Sequence, residues 1–196
     1  MEITEQLIKT IKNLPTPTLV GVSGFGGSGK SSVAKKLGEA LNAAVVGVDS
    51  FQTKGAFDSV FSLWEIMDYA RLEKEVFQPF KNNESVIYYG HFNSKSESIS
   101  ETVEVKNNGI LIVEGVGLFR PELLKYFSYK IWVDLPIEEA ITRGKKRDRE
   151  EYGNPTDELW DGMWKDNDLQ YLEAYKPKET AGDMGTAIWG QSPYFS

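Results

Sequence analysis

From Gly24 to Ser31 the chain reads Gly-Phe-Gly-Gly-Ser-Gly-Lys-Ser, with Ser32 next. This is the G-x-x-x-x-G-K-[ST] pattern of a loop that binds phosphate. Gly24, Gly26, Gly27 and Gly29 let successive backbone N–H groups converge without Cβ clashes, forming a nest for phosphate oxygens. Lys30 adds a point charge for the β- and γ-phosphates, and the Ser31 hydroxyl is of the type that ligates Mg²⁺. Ser28 and Ser32 complete the expected nucleotide-binding set. An apolar run, Thr18 to Val22, precedes the loop. After it, Val33, Leu37, Ala40 and Leu41 recur at helical spacing. The start of such a helix presents positive dipole to an anion. A plain glycine-rich turn gives no reason for Lys-Ser at its end. Gly24, Gly26 and Gly29 also spell G-x-G-x-x-G, with Asp49 about twenty residues on, as in a dinucleotide site. A dinucleotide site has no need of Lys30 and Ser31, which decides for the triphosphate reading.

Three acids end apolar segments: Asp49 after Ala44–Val48, Glu114 after Ile110–Val113, and Asp134 after Tyr129–Val133. In a parallel α/β sheet the chemistry sits beyond the carboxyl ends of the strands. Asp49 is the candidate base or metal-linked acid toward an acceptor hydroxyl. Glu114 stands where charge is costly without a metal or donor, so it is a candidate for metal or substrate contact. Asp134 precedes Leu135-Pro136 and reads as a helix cap. Arg143-Gly144-Lys145-Lys146-Arg147-Asp148-Arg149 is the densest basic cluster in an acidic chain. Arg143 and Arg147 lie one helical turn apart. They fit a lid, about residues 143–155, that closes on the transferred phosphoryl group and excludes water. Arg149 fits that role less well. Tyr89 and the lone histidine, His91, are candidate acceptor contacts. Asp68 reads as a helix cap, with a hydroxyl contact to substrate as the alternative. Leu159, Trp160, Trp164 and Tyr171 read as helix packing.

These groups need a frame, and the pattern supplies one. A helix fits Ile3 to Asn13 and stops at Pro15 and Pro17. Strands fit Thr18–Val22, Ala44–Val48, Val86–Tyr89, Gly109–Glu114, Tyr129–Asp134 and Ala187–Trp189. Helices fit 32–41, 68–80, 136–150 and 156–175. Gln52–Phe61 and the serine-rich 93–100 read as loops, and Glu101–Val105 as a short antiparallel element. Alternating strands and helices imply an α/β fold, a parallel sheet with helices on both faces. One domain over 1–196 is expected.

Composition narrows the setting. The 196 residues carry a net charge of −7 and no cysteine, so disulfides and thiolate metal sites are out. The acidic balance argues against broad nucleic-acid binding. No apolar run reaches the roughly 18 residues of a membrane span. The start, Met-Glu-Ile-Thr-Glu-Gln-Leu-Ile, is unlike a signal peptide. A cytoplasmic protein of open oligomeric state is the expectation.

Together these residues resemble the uridine kinase/phosphoribulokinase-like family of P-loop kinases. The resemblance is carried by the Gly24–Ser31 loop, Val48-Asp49-Ser50-Phe51, Ile112-Val113-Glu114-Gly115-Val116, Ile131-Trp132-Val133-Asp134, and Arg143-Gly144-Lys145-Lys146-Arg147-Asp148. It runs from about Leu19 to Trp189. It implies a P-loop fold, ATP and Mg²⁺ as cofactors, a small-molecule hydroxyl acceptor, and Asp49 acting on that hydroxyl. Nucleoside-binding members have an acid beside the tyrosine that matches Tyr89; this chain has Gly90 and His91. Their arginine-rich acceptor loop is replaced by Asn93-Ser94-Lys95-Ser96-Glu97-Ser98. With no N-K-x-D element for guanine, ATP is expected over GTP. A regulatory nucleotide-binding module with little transferase activity is the alternative.

Overall fold

The computed structural model describes residues 3–53, 61–182 and 188–189. Helix α1 (Glu5–Lys12) starts where the Thr4 hydroxyl accepts from the Leu7 N–H at 3.2 Å. Strand β1 (Thr18–Gly24) is buried along its whole length and leads through the phosphate loop into α2 (Lys30–Leu41). Strand β2 (Ala44–Gly47) follows, and a 3₁₀ turn over Val48–Phe51 carries Asp49 past the strand end. The expected helix over 68–80 begins as α3 (Tyr69–Leu72), widens through a π turn at Glu73–Phe77, and ends as α4 (Gln78–Lys81). Pro79 has no N–H to give a regular turn at that junction. The loop expected at Gln52–Phe61 falls mostly on residues 54–60, outside the described residues.

The hairpin of β3 (Val86–Asn93) and β4 (Ser98–Lys106) forms a separate antiparallel sheet. Both strands run further than expected and shorten the serine-rich loop to 94–97. Strand β5 (Ile110–Glu114), the short helix α5 (Pro121–Leu124) and β6 (Tyr129–Asp134) follow. Then come α6 (Ile137–Glu150), α7 (Asp157–Asp161), α8 (Met163–Tyr175), α9 (Pro177–Gly182) and β7 (Ile188–Trp189). The single helix expected over 156–175 is therefore two, broken at Gly162, where glycine's poor helix propensity makes the break cheap. Of the last expected strand, Ala187 lies outside the described residues.

The main sheet is all parallel in the order β2-β5-β1-β6-β7. Helices pack on both faces, and the period-two alternation of the strands feeds each one. Val20, Val22, Ile112, Ile131 and Val133 face α1 and α2 through Leu7, Ile11, Val33 and Leu37. Leu19, Leu111, Val113 and Trp132 face the other way, into a larger core with Leu72, Phe77, Phe80, Phe119 and Tyr171. With β1 at the centre, the phosphate loop, Asp49 and Glu114 emerge at the same edge of the sheet. Asp134 does not cap α6: that helix has no side-chain cap, and Asp134 instead pairs with Lys178 at 2.5 Å. No helix among the described residues is long and apolar enough to cross a membrane.

Candidate functional site

The phosphate loop is held from several sides. Gly27 and Gly29 take φ values of 76° and 94°, a region other residues rarely adopt. The Ser28 N–H and the Lys30 ammonium both donate to the Phe25 carbonyl, each at 3.1 Å. The Gly26 N–H donates to Asp168 Oδ2 at 2.8 Å. Helix α6 lies directly on the loop: a Cβ on Gly27 would come 2.1 Å from the Ala140 carbonyl oxygen. At Gly29 a Cβ would meet nothing within 4 Å, and α2 begins without a side-chain cap. The first N–H groups of a helix have no intrahelical partner, so the start of α2 presents donors toward the open space at Gly29. That suits a polyphosphate.

Two recesses meet at this loop. A cavity of about 350 Å³ runs over Gly29 and Ser32 and is roofed by Arg143, Gly144 and Tyr152. A second, of about 240 Å³, lies toward Asp49, Glu114, Gln52, Trp64, Ile66 and Met67, with Trp160 and Trp164 on its far wall. Gly27, Lys30, Ser31 and Arg147 line both. Their common wall is the group of residues with the chemistry to hold a phosphoryl group.

The acids differ in environment. Burial pushes the Glu114 carboxyl above its usual range; the Asp49 charge adds to this, while Lys30 and a hydrogen bond from Ser31 oppose it. Ser31, Glu114 and Asp49 thus form a one-hydroxyl, two-carboxylate set beside the phosphate loop. Mg²⁺ takes few protein oxygens and completes its shell with phosphates and water, so the donor set fits it. No group of three or more metal-binding side chains occurs among the described residues. Burial also pushes Asp168 up to about 6, against Lys30, the Gly26 N–H and the Trp64 indole.

Arg143 pairs with Glu139 at 2.6 Å on its own helix, half exposed. Arg147 donates from Nε and Nη2 to Asp148 Oδ1, at 3.0 and 2.8 Å, and its guanidinium lies 5.1 Å from the Tyr152 ring centre. Asp148 also accepts from Thr156 at 2.7 Å and from the Trp160 indole at 2.8 Å. Burial alone would raise the Asp148 carboxyl, but these donors bring it below its usual range. Arg149 pairs with Asp157, away from both recesses.

Gly26, Gly27, Gly29, Lys30, Ser31, Ser32, Asp49, Glu114, Arg143 and Arg147 therefore converge. Other candidates stand elsewhere. Gly24 and Ser28 are packed beneath the loop, where a Cβ on Gly24 would touch Ser28 Oγ at 2.7 Å. Asp68 caps α3, accepting from the Arg71 N–H at 2.9 Å. Tyr89 is buried with its ring stacked on Phe51, 5.4 Å between centres, and burial raises its hydroxyl. His91 Nδ1 shares a 3.0 Å hydrogen bond with Ser50 Oγ. Tyr89 and His91 thus support the segment after Asp49 and do not line the cleft. Sequence reasoning passed over Trp64 and Asp168, and took Trp160 and Trp164 as packing alone. Asp168 is an acid on the inner face of an aromatic-rich helix, and that was the available signal.

A family model described as the KAP family P-loop domain matches residues 1–114. Uridine kinase of Borrelia duttonii (strain Ly) is 23% identical over 180 residues, covering 85% of this chain and 84% of that one. Uridine kinase of Clostridium novyi (strain NT) is 29% identical over 178 residues, covering 82% and 78%. Among solved structures, that of a possible uridine kinase from Bacillus stearothermophilus superposes with a TM-score of 0.69 at 19% identity, covering 95% of this chain and 96% of that one. At that identity the likeness is one of fold.

Proposed function

The chain belongs to the KAP family of P-loop domains and, with relatives that match 82% and 85% of it, to the uridine kinase/phosphoribulokinase-like P-loop kinases, and on that premise we propose that it is an ATP-dependent kinase of a small-molecule hydroxyl. One observation carries the reading: Gly27, Lys30, Ser31 and Arg147 line both recesses. A donor in the recess over Gly29 and an acceptor in the cleft at Asp49 would meet across that shared wall, as in-line transfer requires. We read 1–196 as one kinase domain with its lid at about 143–155.

In this reading the loop N–H groups and Lys30 hold the triphosphate. Ser31, with Asp49 and Glu114, holds Mg²⁺, which when bound neutralises charge on the phosphates. Asp49 orients the acceptor hydroxyl and takes its proton. Arg143 and Arg147 turn from Glu139 and Asp148 toward the phosphates, stabilising charge on the transferred group. Trp64, Ile66, Met67 and Trp164 give the acceptor an aromatic and apolar bed.

The test is acceptor-dependent release of ADP from ATP and Mg²⁺ across nucleosides, other ribosides and small alcohols. Asp49→Asn should bind ATP within about threefold of wild type yet transfer at least about a hundredfold more slowly. Transfer at the wild-type rate by this variant removes Asp49 from the mechanism. Tight ATP binding with no acceptor in any class favours a regulatory nucleotide-binding module.

A further inference from the structure

Helix α8 presents Asn167, Asp168 and Tyr171 on one face, all buried, although polar side chains are seldom so fully enclosed. Together they bond three segments at the site, with Asn167 and Asp168 both holding Trp64. Asn167 Oδ1 accepts from the Trp64 N–H at 2.7 Å, and its amide donates to the Phe61 carbonyl at 3.2 Å. Tyr171 Oη accepts from the Phe119 N–H at 2.7 Å, beyond β5. Asp168 joins the phosphate loop to Trp64, two walls of the cleft toward Asp49: Oδ2 takes the Gly26 N–H of the loop at 2.8 Å, and Oδ1 takes the Trp64 indole N–H at 2.9 Å. Trp64 is also under constraint. Leu63 and Trp64 hold φ of 49° and 59°. Bulky side chains keep that conformation only where their surroundings enforce it.

We propose that Asp168 is a positioning residue that joins the phosphate loop to the Trp64 wall of the acceptor cleft, so that nucleotide binding at the loop is transmitted to Trp64. The inference rests on the nucleotide reading above. One carboxylate with each oxygen committed to one side is a rigid link, because moving either donor leaves a buried acceptor unpaired. A phosphate drawn into the loop pulls on the Gly26 amide and takes over the Lys30 ammonium, which now stabilises Asp168 through its charge. Both effects act on the carboxylate that fixes the indole. The acceptor bed would then be set only when the donor is in place, which limits futile hydrolysis.

Trp64 is its own reporter. Tryptophan emission is recorded during ATP and Mg²⁺ titrations of wild type, Trp64→Phe, Asp168→Asn and Asp168→Asn/Trp64→Phe, with ATP binding followed separately by calorimetry. The emission change at saturation should be about twofold larger in wild type than in Trp64→Phe, and equal in the two Asp168→Asn proteins, as in a double-mutant cycle. ATP should still bind all four. If Trp64 contributes the same signal with and without the Asp168 carboxylate, the link is overturned. If calorimetry finds no ATP binding to the wild type, the nucleotide reading falls and the link falls with it. Should Asp168→Asn fail to fold, Trp64→Phe alone decides: removing the indole donor should shift the Gly26 amide resonance, and an unmoved Gly26 overturns the proposal.

Discussion

Asp168 and Glu114 show how much one residue's meaning depends on its neighbours. Both are acids in an acidic chain, and neither is distinguished by its own letter. Glu114 was legible because it ends an apolar strand, where a charge needs a reason. Asp168 was not, since its partners are a backbone amide and an indole more than a hundred residues away in sequence. Its carboxyl stands at about 6 in the fold, because burial outweighs Lys30 and the two donors. Unfolded, it would titrate near 4. The folded form therefore binds this proton more tightly than the unfolded chain, and protonation favours folding. The stability from this site is present below pH of about 4 and declines as pH rises to about 6, by up to roughly 3 kcal/mol. Asp168→Asn should remove that slope. Urea unfolding of both proteins at pH 4, 5, 6 and 7 measures it. A wild-type-minus-variant difference that stays flat over this range contradicts the assignment.

At the scale of elements, α6 joins the basic cluster to the phosphate loop by close packing. A Cβ on Gly144 would lie 2.4 Å from the Trp160 ring, and one on Gly27 would strike the Ala140 carbonyl. The helix thus brings Arg143 and Arg147 to the loop through positions that tolerate no side chain. The arginine spacing was readable from sequence, because residues four apart on a helix share a face. Their present partners were not: Glu139 lies on the same helix, whereas the Asp148 cluster draws on Thr156 and Trp160 from beyond it. The hairpin was partly legible too. Glu101–Val105 alternates clearly, but the serine-rich stretch has no turn signal strong enough to show where pairing resumes. The arginines differ in reach, since Arg147 lines both recesses and Arg143 only the one over Gly29. Arg147→Ala should therefore lower kcat by about a hundredfold or more and Arg143→Ala by about tenfold, with KM for ATP moving much less in both. Steady-state kinetics at varied ATP separates the two. Loss confined to KM would mean that these side chains bind the ground state alone.

At the scale of the molecule, the all-parallel sheet gathers the site, and this was the most legible level. Segments such as Ile110–Val113 and Ile131–Val133 are apolar on both faces, as strands covered by helices on both sides must be. Central β1 and its neighbour β5 then deliver the phosphate loop and Glu114 side by side, in register from Thr18–Ile110 to Val22–Glu114. What the sequence could not show is which side chains of later helices reach back over that edge. Those contacts depend on the break at Gly162 and on packing between distant segments. The same architecture makes the fold sensitive to the site's occupant, because the loop touches β1, α2, α6 and α8 at once. A ligand bound only by the folded form at a hundred times its Kd stabilises by about 2.7 kcal/mol. In a chain of this size that corresponds to a rise in Tm of roughly 5–10 °C. ATP with Mg²⁺ should give a rise of that order in thermal unfolding. Lys30→Ala should abolish most of it while leaving the unliganded Tm within a few degrees of wild type: among the described residues the hydrogen bond lost is the one to the Phe25 carbonyl of its own loop, the buried Glu114 and Asp168 carboxyls can take up protons when its charge is removed, and the alanine replacing it is a good helix former at the start of α2. Chelating Mg²⁺ should reduce the rise in the wild type, because Ser31, Asp49 and Glu114 then face the phosphates without a cation between. A full shift in Lys30→Ala would place the nucleotide somewhere other than this loop.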